Sequence, residues 1–140
     1  MERKTEMKKY SHLINKGIVK PLKTVAFHNK EKAPVKRFEM FEKKKINQKG
    51  VKIVVHVIKK VSKKVRNYTE LHRHRYDEIN LILSEKGKLV YRIQIEDEVY
   101  IVKSPASVYI PKGLKHSANV LSGEGIFVAD IFVSPYEAFK

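Results

Sequence analysis

The chain has 140 residues, a length typical of one domain that can bury a hydrophobic core. It contains no cysteine, which excludes disulfides and thiolate metal ligands. The formal net charge of +15 is unevenly distributed, because residues 1–66 hold 21 Lys and Arg against 5 Asp and Glu, whereas residues 67–140 hold 9 against 10. This asymmetry fits either a basic arm that binds a polyanion such as nucleic acid or a solvated lysine-rich surface. We favour the solvated surface, since 24 of the 30 basic residues are lysines rather than the arginines preferred in phosphate and base recognition.

The N-terminal region is rich in Lys and Arg and has no apolar run long enough for a signal peptide or a membrane helix. We therefore expect a cytoplasmic protein that does not contact a membrane.

Residues 1–50 are predicted to form a basic arm, partly helical and partly extended. Phe38 and Phe41 lie on a weak helical stripe within residues 37–45. A short amphipathic helix is predicted over residues 5–15 from four apolar residues at helical spacing, namely Met7, Tyr10, Leu13 and Ile14.

After Gly50 the hydrophobic period changes to two, which predicts strands almost to the end of the chain. Turn residues separate these segments, including Ser122-Gly123-Glu124-Gly125. Many short strands at even spacing favour a β-sandwich or barrel over residues 51–140. The predicted strands are Val51–Val57, Tyr68–His74, Glu78–Leu83, Leu89–Ile95, Val99–Val102, Ser107–Ile110, His116–Val120 and Ile126–Val133.

Three potential metal ligands occur within seven residues, at the end of one predicted strand and the start of the next. His72 and His74 point to the same face of a strand, and Glu78 lies a further even number of residues along. Two imidazoles and a carboxylate suit a divalent transition metal. His116 would complete the site if its strand lies beside the first. Alternatively, the histidines are surface residues and Glu78 pairs with neighbouring arginines.

These residues resemble the two motifs of the cupin superfamily. The first motif is matched by His72, His74 and Glu78, and the second by Pro111-x-Gly113-x2-His116. Arg66 and Pro105 replace two of the family's glycines, and Val120 stands where the family has Asn, with Asn119 one residue early.

The resemblance covers roughly residues 51–133 and implies a mainly β protein, with a single cupin-type jelly-roll β-barrel following the N-terminal arm. It further implies one divalent ion (Fe, Mn, Ni or Zn) and a homodimer. The implied metal ligands are His72, His74, Glu78 and His116.

Three more side chains are candidates for catalysis near such an ion. Asn80 shares the face of Glu78 and would hydrogen-bond a bound water or serve as a core amide. His56, on the first predicted strand, would line the cavity or play a structural role. Asp130, within an apolar strand, would act as a base or face solvent.

The resemblance and the ligand set predict a metal-dependent enzyme of the dioxygenase or isomerase/lyase type, acting on a small polar or anionic substrate. The alternative is a non-catalytic cupin that binds or senses a ligand through its metal. We expect the arm to contribute to oligomer formation rather than to the metal site.

Overall fold

The computed structural model describes residues 8–28, 32–43, 50–86 and 88–132. In this part of the chain strands predominate, and every strand pairing is antiparallel. The strands are β1 (Ile18–Val19), β2 (Val35–Lys43), β3 (Val51–Val61), β4 (Glu78–Leu83), β5 (Val90–Ile95), β6 (Glu98–Lys103), β7 (Ala106–Ile110) and β8 (His116–Ile131).

The strands form two sheets that share β8. One sheet has the order β1-β2-β3-β8-β4-β7, and in the other β5 lies between β6 and β8. The first part of β8, from His116 to Ser122, pairs with β5. The second part, from Gly123 to Ile131, pairs with β3 and β4. The mainly β fold expected from the period-two pattern is confirmed.

Two glycines allow β8 to pass from one sheet to the other. Gly123 and Gly125 have φ values of +95° and +149°. A Cβ atom on Gly123 would lie 1.5 Å from the carbonyl oxygen of Lys88, so only glycine fits this close approach. The prediction that residues 122–125 form a turn between two strands is wrong, because the chain continues through them as one bent strand.

The hydrophobic core lies between the sheets and is built by strand alternation. Along the first eight residues of β3, for example, each buried residue is followed by a partly exposed one. The buried core comprises Leu22, Val54, Ile58, Val61, Tyr68, Ile82, Leu89, Tyr91, Ile93, Val120, Phe127 and Ala129.

The arm differs from its prediction. Within the described residues the predicted helix is reduced to a 3₁₀ turn at Ser11–Leu13, and a second 3₁₀ turn follows at Leu22–Thr24; residues 5–7 of that prediction lie outside the described part. The weak helical stripe is the strand β2, whose hydrogen bonds to β3 make it part of the larger sheet. The division of the chain at residue 50 stays a prediction.

Within the described ranges, the chain contains no helix that is both long and apolar enough to cross a membrane.

The predicted strand over residues 68–74 is reduced to an isolated bridge between His72 and His116.

Candidate metal centre

Three histidines from separate parts of the sequence meet at one end of the barrel. His72 and His74 lie in the segment before β4, and His116 begins β8. The backbones of His72 and His116 exchange two hydrogen bonds, of 3.1 and 2.8 Å, which bring the two rings together. The potential ligand atoms of all three histidines lie within 4.8 Å of one another, and the residues are at most 4% exposed.

The hydrogen bonds of these rings suit a metal ion. Nδ1 of His72 lies 2.7 Å from the carbonyl oxygen of Glu70, and Nδ1 of His116 lies 3.0 Å from that of Leu114. A ring that donates through Nδ1 leaves Nε2 as a ligand atom. Nε2 of His116 is buried and has no hydrogen-bond partner among the described residues. Two nitrogens at adjacent positions of one ion, each bound at about 2.1 Å, lie about 3.0–3.4 Å apart, so pairs of rings that each shift by about 1 Å would allow binding.

Glu78 completes the predicted set of four residues. Its Oε1 lies 3.3 Å from Nε2 of His74 and 3.6 Å from Nε2 of His116. Burial alone would raise the pKa of the Glu78 carboxyl, but the adjacent rings of His116 and His74 lower it well below the usual range. Burial would likewise lower the pKa of His116, and the adjacent Glu78 carboxylate raises it. Three imidazoles and one carboxylate thus face a common point.

The turn before His116 is fixed to the other half of the site. The amide of Gly113 donates to the carbonyl of His74 over 2.8 Å. Asp77 accepts hydrogen bonds from the amide of Lys112 (2.9 Å) and the hydroxyl of Tyr109 (2.8 Å). The two predicted motifs therefore lie in direct contact.

His72 and His116 line a small cavity with a volume of about 60 Å³, enough for a few non-hydrogen atoms. Of the three predicted catalytic residues, Asn80 and His56 line this cavity. Asp130 does not: its neighbours Ala129 and Ile131 in β8 line the cavity, so alternation directs Asp130 to the outer face.

Other residues around the histidines and the cavity were not predicted from the sequence. The ring of Phe27 stacks on that of His72 with centroids 5.7 Å apart, and the ring of His28 meets it edge-on at 4.7 Å. Arg37, on β2, is buried in the cavity wall. The arm, which is expected to contribute to oligomer formation rather than to the metal site, thus contacts His72 and lines the adjoining cavity. Its part in an oligomer stays a prediction. The sequence did not predict Arg37 in the site because residues 37–45 show a weak helical stripe. Once residues 35–43 are treated as a strand that pairs with β3, Arg37 lies opposite His56.

Comparison with solved structures identifies the fold. A cupin-2 domain protein from Rhodospirillum rubrum, Rru_A2000, superposes with a TM-score of 0.54 and 11% identity, over 99% of this chain and 81% of that one. An RmlC-like cupin from Shewanella frigidimarina gives 0.51 and 16%, over 74% and 79%. Oxalate decarboxylase from Bacillus subtilis, described with Mn(II) centres, gives 0.51 and 20%, over 77% of this chain and 28% of that one. No protein-family model and no curated protein matches the sequence.

At these identities the similarity establishes the fold: the chain has the cupin fold. The cupin fold implied by the resemblance of the two motifs is therefore confirmed. The histidine group at the end of the barrel could hold a metal ion.

Proposed function

We propose that the protein is a metal-dependent cupin enzyme that acts on a small, polar or anionic substrate. The proposal is carried by one observation: His72, His74 and His116 meet Glu78 beside a small cavity whose wall also contains a cationic arginine. A non-catalytic cupin that binds or senses a ligand through its metal is the alternative.

His72, His74, Glu78 and His116 would hold the ion, which is Fe, Mn, Ni or Zn. When bound, a divalent ion supplies Lewis-acid or redox chemistry to substrate oxygens. The protein's share is to orient the substrate and exclude water. Three neutral imidazoles and one carboxylate would leave the site with a residual positive charge, which favours an anionic or hydroxylated substrate.

The cavity favours the dioxygenase type over the isomerase/lyase type. An isomerase or lyase needs a side chain that accepts a proton near neutral pH. Burial, followed by the charge of Arg37, lowers the pKa of His56 to about 3, which makes it a weak base. Asn80 has no basic group, and Asp130 faces away from the cavity. We therefore propose that these residues position the substrate.

The first test is metal content. Purified protein loaded separately with Fe(II), Mn(II), Ni(II) and Zn(II) is expected to retain one ion per chain. His74→Ala and His116→Ala should lose the ion while keeping the fold by circular dichroism. His12→Ala, which removes an exposed histidine of the first 3₁₀ turn, is the matched control and should retain it. Retention of metal by both site variants would contradict the assignment.

The second test is turnover. Each metal-loaded form is screened against small oxygen-rich metabolites, with and without dioxygen, beside Glu78→Ala as the control. Conversion that needs both the ion and dioxygen supports the dioxygenase type. A compound that binds tightly but is never converted with any of the four metals would support the binding or sensing alternative.

A further inference from the structure

Besides the predicted metal ligands, the cavity wall carries a second cluster of polar residues, formed by Arg37 and His56. Arg37 on β2 and His56 on β3 are paired across the two strands, and both are buried. Cross-strand partners that share a face have side chains in contact range. Both residues line the same small cavity as the histidines.

The sheet register shows how these residues stand relative to Glu78. Inward-facing residues form rows across neighbouring strands, and successive rows are roughly 6.6 Å apart, the advance of two residues along a strand. The first row contains Lys52, Ile131 and Glu78; the middle row contains Glu39, Val54, Ala129 and Asn80; the third row contains Arg37, His56 and Phe127.

The Arg37 guanidinium reaches from the third row to the middle one. Its Nη1 lies 3.3 Å from Oε2 of Glu39 and donates to the carbonyl of Lys20 over 3.2 Å. Arg37 on β2 and Glu78 on β4 are separated by β3 and β8 in the sheet, and both residues line the same small cavity. Ala129, on β8 between them, has a small side chain, which leaves space for a ligand of a few non-hydrogen atoms.

The cavity wall carries a buried cation. Glu39 forms ion pairs with three cations, at 3.3 Å to Arg37, 3.2 Å to Lys52 and 3.7 Å to Lys20. Of these cations, Arg37 lines the cavity, and a charged guanidinium in its wall favours an anion over a neutral ligand. The fixed guanidinium geometry suits a carboxylate in particular.

Two buried polar atoms in the cavity wall have no hydrogen-bond partner among the described residues. Neither atom belongs to a proposed metal ligand, so a bound metal ion would not pair with them. They are Nδ1 of His56 and Oδ1 of Asn80. Because buried polar atoms normally have hydrogen-bond partners, we expect a ligand in the cavity to form a hydrogen bond with each of these two atoms. The amide of Asn80 donates through Nδ2 to Glu78 over 2.7 Å, which leaves Oδ1 as an acceptor that requires a donor such as a hydroxyl. His56, neutral because burial lowers its pKa, can offer an N–H to an anion.

We propose that this cavity binds a small 2-hydroxycarboxylate. Its carboxylate lies against Arg37 and His56, and its hydroxyl donates to Oδ1 of Asn80. The oxygen of the same hydroxyl faces the histidine group, so the inference rests on the proposed function. The cavity volume of about 60 Å³ limits the ligand to a few carbon atoms.

Glycolate is the probe that tests this inference, with glycolamide as its neutral analogue and acetate as the analogue without a hydroxyl. Isothermal titration calorimetry on the Zn(II)-loaded protein should give the tightest binding for glycolate. Arg37→Gln should weaken glycolate binding roughly tenfold or more, as expected for the loss of a charge-assisted hydrogen bond, and leave glycolamide binding unchanged. Arg92→Gln, an arginine substitution on β5 outside the cavity, is the matched control and should not change glycolate binding.

Two further variants keep the test decisive if Arg37→Gln does not fold. Arg37→Lys retains the charge without the planar fork and should give an intermediate affinity, and His56→Leu should weaken glycolate more than glycolamide. Equal binding of glycolate and glycolamide, or equal glycolate binding by the wild type and the Arg37 and His56 variants, would overturn the inference. So would the absence of glycolate binding at millimolar concentration.

Metal analysis of the same samples separates this inference from the proposed function. Arg37→Gln and Arg37→Lys should retain zinc, because Arg37 is outside the ligand set. If the wild type itself retains no metal, the proposed function fails and the titrations are repeated on the metal-free protein. Arg37-dependent glycolate binding would then still support the anion site, and its absence would overturn it.

Discussion

Asn119 positions His72, a proposed metal ligand that lies 47 residues earlier in the sequence. Its Oδ1 accepts the backbone amides of Tyr68 and Thr69, both at 2.8 Å, and its Nδ2 donates to the carbonyl of Thr69 at 3.3 Å. The next residue, Glu70, supplies the carbonyl that accepts from Nδ1 of His72. Asn119 therefore fixes the segment that orients His72, although the family motif has its Asn one residue later.

We predict that Asn119→Leu destabilises the protein by roughly 2–5 kcal/mol, because it leaves two buried amides unpaired. It should also weaken metal binding, since the carbonyl of Glu70 would no longer hold the His72 ring in place. Urea unfolding and competition with a chelator measure the two effects. Asn67→Leu, at an exposed asparagine nearby, is the matched control. Equal stability and metal affinity of the two variants would contradict this role.

His56 makes the metal-free protein sensitive to acid. Burial lowers the pKa of its ring to about 3, from an ordinary value of 6.5, so the unfolded chain takes up a proton below pH 6.5 that the folded chain refuses. The stability due to neutral His56 is therefore complete above pH 6.5 and is lost as the pH falls toward 3.

In the metal-free protein, we predict that His56→Phe reduces the loss of stability below pH 6.5 by up to about 1.4 kcal/mol per pH unit. His28 and His72, whose pKa values are lowered by burial to about 4 and about 3, should leave part of the pH dependence in place. Urea unfolding between pH 4 and pH 7, roughly the range in which these groups titrate, measures the slope. Parallel profiles for the variant and the wild type would refute the prediction.

At the scale of the elements, β2 shows why part of the fold could not be predicted. Its pairing with β3 shifts register between Glu39 and Phe41, which is the mark of a β-bulge. The extra residue puts Phe38 and Phe41 three positions apart in the sequence, the spacing of a helix rather than a strand. Regular strands such as β3 and β4 lack this interruption over residues 51–58 and 78–83, and there the period of two predicted them correctly.

The glycines of β8 show a second reason why part of the fold could not be predicted, namely that a tertiary contact overrides a local turn preference. A run with two glycines predicts a turn by its local preference, whereas the structure requires glycine because the neighbouring backbone comes close. That approach depends on the tertiary pairing of β8 with residues distant in sequence, and no local pattern contains it.

We predict that Gly123→Ala destabilises the protein much more than Gly113→Ala. The two residues have similar φ values, +95° and +89°, so each substitution incurs backbone strain of about 1–3 kcal/mol. Only at Gly123 would the new Cβ also collide with the backbone, whereas at Gly113 there is no atom within 4 Å among the described residues. Urea unfolding of both variants measures the difference. Equal losses would show that strain alone requires the glycine of β8.

At the scale of the whole molecule, the two motifs predicted the four residues that the structure brings together, because ligand type and spacing are local properties. The rest of the cavity wall depends on contacts between distant parts of the chain. Arg37 and His28 come from the lysine-rich half, where their neighbours in sequence suggest only solvated charge. Long-range register, rather than composition, joins them to the site.

The predicted homodimer remains to be tested, and the structure offers a surface for it. β1 ends the larger sheet of the described strands, and an edge strand presents unpaired backbone groups to a partner. Apolar side chains are also exposed there, with Ile14 at 82% and Ile18 at 67%. Large apolar side chains exposed beside an unpaired strand edge are typical of an interface. We therefore propose that a second copy of the chain covers β1 and the first 3₁₀ turn.

We predict that the Ile14→Lys/Ile18→Lys double variant reduces the particle mass in sedimentation equilibrium from about twice the 16.3 kDa chain mass to that of one chain. Two lysines at the centre of an interface would bury unpaired charge, which opposes association without disturbing side chains that are exposed in the single chain. The matched control is Val99→Lys/Ile101→Lys on β6, where both side chains are also exposed and the strand pairs only with β5 among the described strands. If the β6 variant dissociates and the β1 variant does not, the interface lies on the other sheet. A wild type that sediments as a single chain would contradict the homodimer itself, and neither surface would then be an interface.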